Sequence, residues 1–113
     1  MELYELIRKI QKRPALYLGQ KSLSHLQVFL DGYTFARRQS GIPLSDQEKE
    51  FEGFQEWMEQ RFKQPNNQSW TKIILFYSED EAQALDLFWE LFDQFVKEYQ
   101  KQPAVPHLQS STL

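Results

Sequence analysis

Histidine most often acts as a general base near neutral pH, and this chain of 113 residues has only two. His25 falls in a predicted helix, and His107 lies near the C-terminus. A Ser–His–Asp triad would have to use His25, yet no serine lies in the sequence pattern of a nucleophile elbow. The absence of cysteine excludes thiol nucleophiles, thiolate zinc sites and disulfides. No catalytic residue is predicted, and the role of His25 stays open.

Carboxylates are the other side chains that could do chemistry, because paired acids can hydrolyse glycosides or bind hard metal ions. Two series of acids recur at helical spacing: Glu52, Glu56 and Glu59, and then Asp86, Glu90 and Asp93. Each series lies opposite the apolar side of its predicted helix, where acids are ordinarily solvated. We therefore expect no metal and no cofactor. An enzyme with a carboxylate-bound metal is kept as an alternative function.

Helices are predicted to carry His25 and the acidic residues named above, because apolar side chains recur at i, i+3, i+4 and i+7 in several segments. The first predicted helix begins near Leu3 and ends before Pro14, since the residue before a proline disfavours helical backbone. Ser22 is a candidate N-cap for a second helix, which extends to about Gln39. Between these helices, residues 14–19 are predicted to form a non-helical connector.

The second half of the chain contains two further strong helix signals. A capping box of Ser45 and Glu48 begins a third helix, which is predicted to end at a polar turn over residues 65–67. Ser78 and Glu81 have the same capping-box spacing and predict the start of the last helix. Its long stripe of aromatic and aliphatic residues makes it the main core element.

Residues 70–77 are ambiguous, because their aromatic and β-branched residues also suit a buried strand. Their apolar spacing fits a helix as well, Ser69 is a good N-cap, and no convincing second strand exists to pair with them. A short buried helix is therefore predicted. The expected fold class is all-α, a single-domain bundle of four to five helices, with α+β as the alternative if residues 70–77 form a strand.

Composition supports one packed core, since hydrophobic residues make up 41% of the chain and aromatic residues 15%. Residues 1–101 are predicted to form a single helical domain, and residues 102–113, with two prolines and no periodicity, a flexible tail. No segment approaches the roughly 18 consecutive apolar residues of a membrane span. No signal-peptide pattern begins the sequence. We expect a cytoplasmic protein without a membrane partner.

Charge is divided unevenly along the chain. Residues 1–44 contain seven basic and three acidic residues, whereas residues 45–101 contain six basic and thirteen acidic residues. Two interpretations remain open: the basic N-terminal helices dock on the acidic C-terminal ones, or an acidic face meets a basic partner. Nucleic-acid binding is disfavoured, because no basic cluster with interleaved aromatic residues supplies contacts to phosphates.

The predicted connector places Arg13, Tyr17 and Lys21 on a link between two helices. One interpretation is a turn that buries Leu16 and Leu18 in the core. The other is an ordered loop on which Arg13, Tyr17 and Lys21 form a recognition surface.

The motif over residues 13–19, RPALYLG, is followed by Ser22-Leu23 and then by FLDGY over residues 29–33. This pattern resembles the opening of small uncharacterised bacterial proteins, some of which are similar to immunity proteins that neutralise polymorphic toxins. The resemblance covers about the first third of the chain. It implies a non-enzymatic, tight-binding inhibitor, and an acidic helical face would suit a basic toxin such as a nuclease.

The sequence therefore favours a non-enzymatic protein-binding module with a basic protein partner. Nine residues are candidates for partner contact: Glu52, Glu56, Glu59, Asp86, Glu90, Asp93, Arg13, Tyr17 and Lys21. A second hypothesis is a homo-oligomeric structural protein, for example a homo-dimer, in which the last helix packs against its own copy, because Phe88 and Trp89 broaden its apolar stripe beyond what a monomer needs to bury.

Overall fold

All regular structure in the described part of the chain is helical. The computed structural model describes residues 1–63 and 68–101, and these ranges hold no strand. The helices in chain order are α1 (Leu3–Lys12), α2 (Pro14–Leu18), α3 (Leu23–Gln39), α4 (Asp46–Phe51), α5 (Phe54–Phe62), α6 (Trp70–Phe76) and α7 (Glu81–Lys101). The all-α bundle is confirmed, and α6 removes the α+β alternative. The turn predicted at 65–67 and the tail predicted at 102–113, with His107, lie outside the described residues.

Three of the predicted helix starts are confirmed by their capping hydrogen bonds. Ser22 accepts from the backbone N–H of His25 ahead of α3, and Ser69 accepts from the N–H of Lys72 ahead of α6. Ser45 and Glu48 form the complete capping box at the start of α4. These bonds satisfy donors at the helix ends that have no partner inside the helix.

The prediction of a non-helical connector over residues 14–19 is wrong, because residues 14–18 form α2. Pro14 ends α1 as expected but also begins the next helix, since its fixed φ suits the first helical position and its missing N–H needs no partner there. Gly19 ends α2 in the left-handed region, at φ 84°. The proline thus separates two helices at Arg13, whose backbone is non-helical.

The third predicted helix is divided into α4 and α5 around Glu52 and Gly53. A side chain at Gly53 could not fit without movement, because an added Cβ would lie 2.7 Å from the hydroxyl oxygen of Tyr99 in α7. The end of α7 therefore packs closely against the α4–α5 junction. Together with α2, this division raises the number of helical segments above the four to five predicted.

The last helix begins later than its capping-box pattern predicts. Asp80, not Ser78, accepts the N-terminal hydrogen bond, with 2.8 Å between its Oδ1 and the backbone nitrogen of Gln83. The Ser78 hydroxyl instead donates to the carbonyl of Ile74 in α6. The side chain of Glu81 is consequently free to contact another helix.

The core is an aromatic cluster centred on Phe54, which is fully buried. Its ring centroid lies 5.2 Å from those of Trp70 and Phe95 and 5.6 Å from that of Phe88. These edge-to-face contacts join α5, α6 and α7. From the other side, α3 packs its buried leucines against the core.

Phe88 and Trp89 of α7 lie in this core, with 0% and 7% of their surface exposed. The hypothesis that they pack against a second copy is therefore wrong, because the chain's own helices already cover them. Among the described residues, no helix is both long enough and apolar enough to cross a membrane.

Candidate protein-binding surfaces

The acidic residues of α7 face basic residues of the N-terminal half. Asp86 Oδ1 lies 3.3 Å from Lys21 Nζ, and Asp93 Oδ1 lies 2.6 Å from Arg8 Nη2. Glu90, between them on the same side of the helix, is exposed. Exposed ion pairs of this kind contribute about 0–1 kcal/mol each, so they align the helices more than they hold them together.

A third ion pair joins Arg37 of α3 to Glu48 of α4, with 3.0 Å between Nη2 and Oε1. All three ion pairs found among residues 1–63 and 68–101 connect the basic N-terminal segment to the acidic remainder. The interpretation that the basic helices dock on the acidic ones is thereby confirmed. Some of the unevenly distributed charges therefore pair with one another within the fold.

Glu48, predicted only as part of the capping box of α4, is a buried acid one turn before the exposed Glu52. Only 5% of its side chain is exposed. Burial by itself raises the pKa of Glu48, but hydrogen bonds from Ser45 and Arg37 outweigh burial, and the net pKa lies below the usual value. The carboxylate is therefore charged at neutral pH and belongs to the fold.

The acids of α5 differ from those of α7, because none of them has a cation within 4.0 Å in the described part of the chain. Glu59 accepts a hydrogen bond from Gln55 at 2.7 Å, and Glu56 accepts one from Gln60 at 3.3 Å. Glu52 is exposed at the α4–α5 junction. We call Glu52, Glu56 and Glu59 the α5 acidic face.

The structure does not combine the two acidic series into one surface. A helix turns by about 100° per residue, so Asp86, Glu90 and Asp93 lie on roughly the opposite side of α7 from Phe88 and Phe95. Those two phenylalanines are the residues that contact Phe54 of α5. The acids of α7 therefore point away from α5, and the six predicted carboxylates form two separate surfaces.

Arg13, Tyr17 and Lys21 are all exposed, and the recognition surface predicted from them stays a prediction. Lys21 pairs with Asp86, and Arg13 is exposed between α1 and α2. Tyr17 packs against Phe29 of α3, with ring centroids 6.5 Å apart. Of the two leucines expected in the core, Leu18 is buried and Leu16 is exposed.

A hollow of about 390 Å³ lies between α2 and α3, where sequence reasoning predicts no site. We call it the α2–α3 hollow; it is lined by Tyr17, Leu18, His25, Val28 and Phe29. Val28 and Phe35 of α3 lie about two turns apart, and they are 69% and 61% exposed. Their spacing of seven residues is the signal that could have revealed an apolar outer side of α3.

His25 lies at the edge of this hollow, and no carboxylate lines the hollow with it. Its Nδ1 is 2.9 Å from the carbonyl oxygen of Leu18, so the imidazole fastens the end of α2 to α3. The residues that would supply acid–base chemistry are therefore not gathered here. Across the described ranges, no three His, Asp or Glu side chains are grouped so that they could hold a metal ion.

Glu81 joins the beginnings of α3 and α7 and was not predicted to do so. Its Oε1 accepts from the backbone N–H of Ser24 at 2.8 Å, and its Oε2 accepts from the Ser24 hydroxyl at 2.7 Å. The Ser22 hydroxyl donates a third bond at 3.1 Å. Burial raises the pKa of Glu81, but the bonds from Ser24 and Ser22 outweigh it and the net pKa is lowered.

Replacing Glu81 with glutamine should lower the free energy of unfolding at pH 7 by about 1.5–3 kcal/mol, the usual range for hydrogen bonds to a charged group. Because the folded pKa is lowered, this stabilisation is present above the unfolded pKa of about 4.3 and is lost as the pH falls through the folded pKa. The difference between wild type and Glu81→Gln should therefore shrink below pH 4. Urea unfolding between pH 7 and pH 3 measures it, with exposed Glu79→Gln as the matched control.

No protein-family model, curated protein or solved structure matches this chain. The resemblance of residues 13–33 to immunity proteins accordingly stays a prediction. The features that can bear on function are the α5 acidic face and the apolar surface around the α2–α3 hollow.

Proposed function

We propose that this chain is a non-enzymatic protein-binding module that recognises a basic protein through the α5 acidic face. One observation carries the proposal: folding pairs Asp86 and Asp93 of α7 with basic residues, while the acids of α5 keep no cationic partner among the described residues. Unpaired carboxylates on one side of a helix attract a basic surface over a distance of roughly 8–10 Å at physiological salt.

The surroundings of the α5 acidic face support this role. Residues 46–63, which contain α4 and α5, carry six acidic and three basic residues. Arg61 stacks over the half-buried ring of Trp57, 5.3 Å from its centroid, but both residues lie on the side of α5 away from the three acids. The ring of Trp57 contacts Phe95 of α7 instead. The face thus supplies charge for attraction.

The resemblance to immunity proteins suggests the class of partner, a basic bacterial toxin such as a nuclease. An inhibitor of this kind works by covering its target, so it needs no catalytic residue, metal or cofactor. A cytoplasmic location, where an antidote would meet a toxin inside the producing cell, belongs to the same proposal.

The test is a titration of the full chain against catalytically inactive toxin domains from polymorphic toxin systems, with acidic toxin domains as a counter-probe. We expect a basic domain to bind, and the triple variant Glu52→Gln, Glu56→Gln, Glu59→Gln to weaken binding by about tenfold or more. The association rate should depend less on salt in this variant, because attraction over distance is what the three carboxylates supply. Calorimetry and stopped-flow fluorescence measure the two effects.

A second triple variant, Glu5→Gln, Glu79→Gln, Glu90→Gln, removes the same charge from exposed positions outside α5. It should change the affinity by less than about threefold, because it leaves the contact surface intact. Equal losses in the two triple variants would show that only net charge matters and would contradict the proposed face. Binding confined to acidic domains, or to none, would contradict the proposed function.

A further inference from the structure

Gln55 lies at the border between the α5 acidic face and the core. A helix turns by about 100° per residue, so Gln55 falls between Glu59 on one side and the buried Met58 on the other. The Gln55 side chain is itself half-buried. A polar side chain in this place can connect a surface charge to a fixed part of the fold.

The side-chain amide of Gln55 uses both of its hydrogens and its oxygen. Nε2 donates to Oε2 of Glu59 and to the carbonyl oxygen of Gln68, at 2.7 Å in each case. Oε1 accepts from the backbone N–H of Trp70, also at 2.7 Å. Turning the amide over would place its oxygen against two acceptors and its nitrogen against a donor. Only one orientation of the amide therefore satisfies all three partners.

The core fixes one end of this connection. Trp70 begins α6 and is buried, and its ring centroid lies 5.2 Å from those of Phe54 and Phe88. A side chain packed so closely among others holds its own backbone in place. The hydrogen bond from the Trp70 backbone therefore fixes the position of the Gln55 amide relative to the core.

The other end of the connection orients the carboxylate of Glu59. Its Oε2 accepts from the fixed amide, while its Oε1 receives no hydrogen bond from any described residue. Glu56 differs, because its donor is the exposed Gln60 at 3.3 Å, which makes no second bond within the described ranges. The carboxylate of Glu52 has no donor there. Of the three acids of the face, Glu59 is thus the one that the described part of the chain holds in a set direction.

We propose that Gln55 is a positioning residue of the α5 acidic face, which holds the Glu59 carboxylate so that Oε1 is left for a basic group of the partner. This inference rests on the function proposed above. Ordering a long side chain at an interface weakens binding, and a side chain that is already ordered avoids this cost. A charge-assisted hydrogen bond also needs a defined direction. Gln55 therefore strengthens binding although it carries no charge.

Side-chain NMR of the full chain without a partner tests whether Gln55 holds Glu59. The Gln55 Nε2 resonance should move as Glu59 gains its proton between pH 7 and pH 4, because its hydrogen-bond acceptor loses the charge. Glu59→Gln should abolish this movement, and Glu56→Gln should leave it unchanged. The Glu59 side chain should occupy one rotamer in the wild type and several in Gln55→Met. A Gln55 resonance that does not respond to Glu59 would overturn the proposal.

Binding to an inactive basic nuclease domain of a polymorphic toxin system tests whether this positioning matters. Gln55→Met keeps the charge and approximate length of the side chain, and it should weaken binding by about threefold to tenfold. In a Glu59→Gln background the same replacement should change the affinity by less than about 1.5-fold, because Gln55 acts through Glu59. Gln60→Met is the matched control: it removes the donor to Glu56, which is not anchored to the core, and it should change the affinity by less than about 1.5-fold.

The comparison of backgrounds separates positioning from folding. Gln55→Met also removes the acceptor of the Trp70 N–H, but any loss of stability from this affects both backgrounds alike. Equal losses of affinity with and without Glu59 would therefore show that Gln55 only supports the fold, and would overturn the proposal.

Failure of this inference and failure of the proposed function give different results. If no basic domain binds the wild type, the proposed function fails, and the role of Gln55 in binding fails with it. If a basic domain binds and the triple variant of the α5 acidic face weakens it, but Gln55→Met does not, the face is supported and the positioning role alone is overturned.

Discussion

Replacing Phe54 with alanine should lower the free energy of unfolding by about 3–5 kcal/mol, the range for buried phenylalanines. The ring of Phe54 is fully buried and contacts aromatic rings of α4, α5, α6 and α7. These large, interlocked rings cannot collapse easily into the space that the substitution leaves, so most of the cavity should persist. Urea unfolding followed by tryptophan fluorescence and by circular dichroism measures the loss.

Phe76→Ala is the control for this substitution, because the ring of Phe76 is exposed to solvent. The same change of residue type there should alter stability by no more than about 0.5 kcal/mol. A loss of less than about 1.5 kcal/mol in Phe54→Ala would mean that the aromatic cluster repacks readily, contrary to the close packing described here.

Replacing Glu48 with alanine should lower the free energy of unfolding by about 1.5–3 kcal/mol, the range for hydrogen bonds to a charged group, because Glu48 is buried but Arg37 stays partly exposed. The change deprives the Arg37 guanidinium of two hydrogen bonds and the backbone N–H of Ser45 of one. It thereby removes the ion pair between α3 and α4 and one of the two hydrogen bonds of the capping box, while Ser45 still accepts from the backbone N–H of residue 48. Urea unfolding at pH 7 measures the effect.

Glu52→Ala is the matched control, since Glu52 is an exposed acid one turn after Glu48. It should change stability by no more than about 0.5 kcal/mol. A double-mutant cycle with Arg37→Ala isolates the pair: the loss from both changes together should be smaller than the sum of the single losses. Additive losses would show that Arg37 and Glu48 do not stabilise each other.

Local sequence signals predicted most of the helices correctly, because their causes act within a few residues. Ser69 and the apolar spacing that follows it identify α6 even though its residue types also suit a strand. Pro14 was interpreted only as the end of a helix, although the same fixed φ also favours the start of the next one. Both effects of the proline act within a few residues, so the start of α2 was predictable from the sequence.

Contacts between distant residues explain what the sequence did not reveal. Glu81 fits a capping box with Ser78 by spacing, but its carboxylate bonds Ser22 and Ser24, which are 59 and 57 residues away. Glu48 was predicted only as a capping-box residue, but Arg37 also reaches it from α3. Helical spacing shows which residues share a side of a helix, and not which neighbouring helix that side meets.

The predicted contact residues show the same limit. Spacing correctly grouped the acids of α5 with one another and the acids of α7 with one another, but the relative rotation of the two helices decides that they point apart. The apolar outer side of α3 was within reach of the sequence, since Val28 and Phe35 follow helical spacing outside the leucine stripe. It was missed because the leucines alone were sufficient to explain α3.

The packing of α1 against α7 has a consequence for synthesis on the ribosome. The ring of Tyr4 packs edge-on against Phe92, with centroids 5.1 Å apart, and the same region of α1 pairs through Arg8 with Asp93. The apolar side of α1 therefore cannot complete its packing until α7 has been synthesised. A nascent chain interrupted before that point would expose leucines and isoleucines of α1, which makes it a substrate for chaperones until the last helix emerges.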